Sequence, residues 1–126
     1  MSTTQREKAA RWEVSELRAD YLVALERMGN AAQQVHDALD AAAAGLSVVR
    51  DQLQADGRAS DLVNTIDPKP LRIALSGALT ELERSRHAAQ KLLFRILFAE
   101  GTNMSDIARY WGISRQLVSR LINEPD

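Results

Sequence analysis

Cysteine is absent from the 126 residues, which removes disulfides, thiolate nucleophiles and cysteine-bound metal and accords with a reducing compartment. Proline occurs only at positions 68, 70 and 125, and none lies between Thr4 and Gln54, so a mostly helical stretch is favoured there. Six aromatic residues are too few to fill a broad compact core, and nineteen alanines supply much of the 45% apolar content. No apolar run approaches the ~18 residues of a membrane span or the core of a signal peptide, so a soluble, cytoplasmic chain with no membrane contact is expected. Neither charge sign dominates: sixteen Lys and Arg stand against seventeen Asp and Glu. The length suits one domain, or a small head on an extended arm, and excludes a large two-domain enzyme.

What is present is helical patterning, and the expected fold class is all-α. Val14, Tyr21, Met28, Val35, Ala42 and Val49 recur every seven residues. They are joined first by Leu17 and Ala24, then by Leu25, Ala32, Leu39, Leu46 and Leu53, as though the companion row drifts by one position midway. Gly29-Asn30 marks the expected break into two helices; the competing reading is one helix of about 50 residues. Residues 1–55 thus form a helical arm, a helical hairpin or coiled-coil-like dimerisation element. Residues 56–70, with Asp56-Gly57, Ser60-Asp61 and Asp67-Pro68-Lys69-Pro70, form a connector in which Leu62, Val63 and Ile66 make one short turn. Residues 71–100 form a long helix capped by Asp67, carrying Leu71, Leu75, Ala78, Leu82, Ala89, Leu92, Ile96 and Ala99 on one side and stopped by Gly101.

Charge is unevenly placed. Residues 1–83 carry nine basic and thirteen acidic groups, a net of -4, whereas residues 84–123 carry seven basic and two acidic groups, a net of +5. A basic C-terminal head therefore sits on an acidic arm, and a local basic surface attracts phosphates.

The informative segment is 101–126. Asn103 stands where it can cap a short helix, with Asp106 at capping-box spacing and Ile107 and Trp111 on the inner face. Ala108 is small at the expected point of closest approach. Gly112 lets the chain reverse, Ile113 plugs the corner and Ser114 caps a second helix whose Val118, Leu121 and Ile122 face inward. Arg115, Gln116, Ser119, Arg120 and Asn123 then point outward, all able to donate hydrogen bonds, and these five are the expected base-reading set.

Asp106-Ile107-Ala108, Tyr110, Gly112-Ile113-Ser114 and Val118-Ser119-Arg120 resemble the helix-turn-helix of bacterial DNA-binding proteins. The closest resemblance is to the headpiece of lac-type repressors, and a looser one is to resolvase-type and other homeodomain-like units. It covers about twenty residues and implies a second helix lying in the major groove. By that resemblance Arg115, Gln116 and Arg120 contact bases; arginine pairs with guanine O6 and N7, glutamine with adenine N6 and N7. In the lac-type family the motif opens the chain and a sugar-binding domain follows; here it lies near the carboxyl end, so no effector ligand is carried over. The trihelical unit would be completed from the front by Leu92, Leu93, Ile96, Leu97 and Phe98. The head's core is then Ile107, Ala108, Trp111, Gly112, Ile113, Val118 and Leu121. Phosphates are assigned to Lys91, Arg95 and Arg109 by charge, and to Thr102, Asn103 and Ser114 at helix starts.

A specific site usually takes two half-sites read by a dimer. Val14, Leu17, Tyr21, Met28, Val35, Leu39, Leu46 and Val49 are the expected dimer contacts, because long apolar stripes are not expected to be buried within one thin chain. Leu75, Leu79 and Leu82 extend them. The expected function is sequence-specific binding of double-stranded DNA by a small dimeric transcriptional regulator associated with the nucleoid. The alternative is a helical adaptor whose arm binds a partner protein, with the head as a targeting or protein-contact unit. His36, Asp37 and Asp40 on one face make a poor metal site and read as solvated surface. His87, beside Arg86, reads as surface or phosphate-proximal. Trp12 and Tyr21 read as core or dimer contacts. No metal, cofactor or catalytic constellation is expected, and hence no enzyme.

Overall fold

The structure is a computed structural model that describes residues 12–126; the expected helical start at Thr4 lies outside them. Among the described residues there are five helices and no strand: α1 (Val14–Gln54), α2 (Ala59–Thr65), α3 (Lys69–Ala99), α4 (Met104–Trp111) and α5 (Arg115–Ile122). None of these helices is long and apolar enough to cross a membrane. The described residues divide into two compact units, 12–27 with 85–126, and 28–84, so α1 and α3 each contribute to both.

The break expected at Gly29-Asn30 does not occur. α1 runs through it as one 41-residue helix, and both residues are exposed on its surface. A single glycine costs a helix interior only about 1 kcal/mol, which the strong helix formers on either side and the buried seam outweigh.

The seam of α1 also departs from expectation. Leu17, Ala24, Ala31, Val35 and Ala38 are buried, and Val14, Tyr21, Met28, Ala42, Gly45 and Val49 are half-buried. These eleven positions keep an unbroken three-four spacing, so the companion row does not drift: Ala31, Ala38 and Gly45 continue Leu17 and Ala24. The larger row stays outside, with Leu39 52% and Leu46 70% exposed. Size explains the choice, since alanine and glycine let a neighbouring helix approach where leucine would hold it off.

Within the second unit that neighbour is α3. Val35 and Ala38 pack with Ala78, flanked by Leu75 and Leu82, while a methyl group added at Gly45 would stand 3.7 Å from Leu71 Cδ2. Ascending positions on α1 meet descending ones on α3, so the two form an antiparallel hairpin. The stripe is thus partly covered inside one chain, and Leu17 and Val35 are withdrawn from the expected dimer contacts because they are already buried; only Leu39 and Leu46 of that set stand open.

The connector contains a helix, α2, rather than one turn. Leu62 in it and Ile66 just after it are half-buried, and Val63 is exposed. At the end of α1 the left-handed residue is Asp56 (φ 62°), and Gly57 N–H returns to Gln52 O at 2.9 Å, which closes the helix. Asp67 Oδ1 accepts from Lys69 N–H at 3.0 Å, starting α3 two residues ahead of Leu71.

Candidate nucleic-acid interface

The C-terminal helices are set by local chemistry. Asn103 accepts from Asp106 N–H at 2.8 Å and caps α4; Ser114 accepts from Leu117 N–H at 3.1 Å and caps α5. Between them Gly112 takes a left-handed conformation (φ 73°, ψ 33°), and the N–H groups of Gly112 and Ile113 both donate to Ala108 O, at 2.9 and 3.0 Å. A side chain at 112 would be strained there, so glycine is what allows the reversal to take two residues. Gly101 (φ 106°) ends α3 in the same way.

Beneath the turn lies one apolar cluster: Phe94, Phe98, Ile107, Ala108, Val118, Leu121 and Ile122, with Trp12, Leu97, Met104, Ile113 and Leu117 against it. Ile107, Ala108, Val118 and Leu121 occupy the places expected, with Ile113 at the edge. Trp111 and Gly112 do not belong to the core: Gly112 is exposed, and Trp111, 38% exposed, lays its ring edge-on to Phe94 at 5.1 Å. Phe94 is the core residue that the helical row of α3 missed. The last turns of α3 are apolar nearly all round because they are covered on more than one side, and a single-stripe reading finds only one of them.

The charged groups separate into two sets. On α3, Arg95 is 6% exposed. Its Nε donates to Ile122 O at 2.9 Å, Nη2 to Glu124 O at 2.6 Å and Nη1 to Asp126 Oδ1 at 2.9 Å, while the guanidinium lies 5.1 Å from the centre of the Trp12 ring. Lys91 Nζ reaches Asp126 Oδ1 at 3.2 Å and Pro125 O at 3.4 Å. One turn earlier, His87 Nε2 is 2.7 Å from Glu124 Oε2. The hydrogen bond from His87 holds the Glu124 carboxyl below its ordinary range, and that from Arg95, followed by Lys91, does the same for Asp126. Lys91, Arg95 and His87 therefore leave the expected phosphate-facing set: the chain's own last turn engages them.

On α5 the arrangement is the opposite. Arg115, Gln116 and Arg120 are exposed, and among the described residues their side chains make no hydrogen bond or ion pair. Ser119 is half-buried, and Asn123, though exposed, donates through Nδ2 to Ser119 O at 2.8 Å, so it is turned back on its own helix. Arg109 is exposed on α4 and paired with Asp106 one turn before it. Thr102 is half-buried with its N–H on Leu97 O, whereas Asn103 and Ser114 remain at the surface as caps. Tyr110, one of the residues that carry the resemblance but without an assigned role, is 84% exposed beside Trp111.

The face so formed holds two unpartnered guanidinium groups and a carboxamide on one short helix, beside a capped helix start. It can donate bidentate hydrogen bonds to planar acceptors and balance negative charge. Compared with known protein families, curated proteins and solved structures, the chain matches none of them.

Proposed function

We propose that the protein binds double-stranded DNA sequence-specifically, with α4, the Gly112 turn and α5 acting as a helix-turn-helix and α5 entering the major groove. The observation that carries this reading is a division within the C-terminal unit: Lys91 and Arg95 near the end of α3 are engaged by residues 122–126, whereas the side chains of Arg115, Gln116 and Arg120 on α5 make no hydrogen bond or ion pair among the described residues. A hairpin serving only to cover a core has no use for such a set, because three long polar side chains add nothing to its packing. Arg115 and Arg120 read guanine edges and Gln116 an adenine. Arg109, with the N–H groups at the start of α5 around Ser114, holds the phosphates. Ser119 and Asn123 shape the end of the reading helix. Two such heads on one protein make a regulator that reads paired half-sites.

The test is selection of genomic DNA fragments by the purified protein at near-physiological salt, with Arg115→Ala/Arg120→Ala in parallel. The wild type enriches a short inverted repeat; each lost arginine weakens binding to it by about 1–3 kcal/mol and relaxes the preference at its base. Arg109→Ala weakens all sequences alike and lowers the salt dependence. Enrichment of nothing by a folded wild type would remove the reading, and α5 would then be a protein-contact surface.

A further inference from the structure

The second unit leaves one helix face uncovered. Leu39 and Leu46, one heptad apart on α1, are 52% and 70% exposed, and Ala43 stands exposed between them. Leu79 on α3 is 48% exposed. Leu39 follows Ala38 and Leu79 follows Ala78, two residues of the hairpin's own seam. In an antiparallel pair, positions directly after seam residues lie on the same side, so the three leucines share one side of the hairpin. Exposed leucines spaced in this way form an apolar stripe of the kind that protein contacts cover.

We infer that the occupant of this face is a second copy of the same hairpin, laid antiparallel across it to make a four-helix bundle. Charge placement selects both the partner and the direction. Opposing Ala43 of each copy to Leu46 of the other sets Leu39 along the aliphatic stem of Arg50 and brings the Arg50 guanidinium to Asp40 of the other copy. Two-fold symmetry makes that pair twice. Both groups are exposed, and their contacts within α1 are local and at the surface, Arg50 with Ser47 Oγ at 3.3 Å and with Asp51 at 3.6 Å, Asp40 with His36 at 3.4 Å, so either can turn outward. A parallel arrangement would stack Arg50 on Arg50 and His36 on His36 in the seam. The antiparallel arrangement is isologous and closes at two copies. This deepens the proposed function and rests on it only for the purpose of pairing two heads; the association itself needs no DNA.

Sedimentation equilibrium of the full chain without DNA tests it. The expected mass is twice 14.0 kDa from micromolar concentration upward, and Leu39→Glu/Leu46→Glu sediments as a monomer with its helix content unchanged. Asp40→Arg and Arg50→Asp each weaken the dimer about tenfold by turning two attractions into repulsions, and the two together restore it. A monomeric wild type, or a dimer indifferent to Leu39 and Leu46, overturns the inference; a double exchange no better than the single ones overturns the antiparallel register. A monomer that still selects a single half-site would leave DNA reading standing and remove only this interface, whereas a dimer that selects no DNA would do the reverse.

Discussion

The guanidinium of Arg95 meets the last carbonyl of α5, two acceptors just beyond it and the face of Trp12, which makes it a cap supplied from another helix. Lysine keeps the charge but gathers its donors on one nitrogen in place of arginine's planar fork, so it cannot meet from one position the three acceptors that Nε, Nη1 and Nη2 reach separately. Arg95→Lys is therefore expected to lower stability by about 2 kcal/mol, since the buried Ile122 carbonyl or its neighbour loses a donor; urea denaturation measures this, and a loss near zero would show the clamp to be dispensable. The carboxylates of the same turn set a pH dependence. Glu124 and Asp126 have depressed values in the folded chain, so the unfolded chain binds more protons in acid and stability falls with pH there. Their contribution is complete above the ordinary carboxylate range, roughly pH 4, and is lost below it. Glu124→Gln/Asp126→Asn should flatten the acid limb of a plot of Tm against pH by lowering the neutral plateau, while the most acidic values change little; an unaltered acid limb would count against the contacts. None of this was legible in the sequence, where Lys91 and Arg95 look as available as Arg115. Residue type reports charge, but the partner lies about thirty residues further on, across a turn whose path the pattern does not give.

At the scale of the element, the caps and turns were legible because their causes are local. Asn103, Gly112 and Ser114 act within three or four residues of themselves, and each does what its type suggests. The seam of α1 was not, because two heptad rows of similar apolarity lie side by side, and the choice between them depends on how near α3 comes. Leucine looks more like core than alanine until a neighbour needs room. Gly29 misled for a related reason: it has the character of a helix stop, yet nothing lies within 4 Å of where its side chain would be. Gly29→Ala should accordingly stabilise the protein by about 0.5–1 kcal/mol, read as a rise in the denaturation midpoint. A fall would mean that the helix needs a hinge there.

For the molecule as a whole, the all-helical class and the order of arm, connector, long helix and two short helices could be read in advance. The grouping of the N-terminal end of α1 with the C-terminal helices could not, because it depends on Trp12 meeting Phe98 and Arg95 across more than eighty residues of chain. That placement also equips the molecule with two optical reporters of different meaning. Trp12, edge-on to Phe98 at 6.4 Å and under a guanidinium, senses whether the C-terminal unit is assembled. Trp111, half open beside Tyr110, senses what arrives at its surface. With each in turn replaced by phenylalanine, the fluorescence of the other separates unfolding from ligand contact in two matched titrations, without any attached dye.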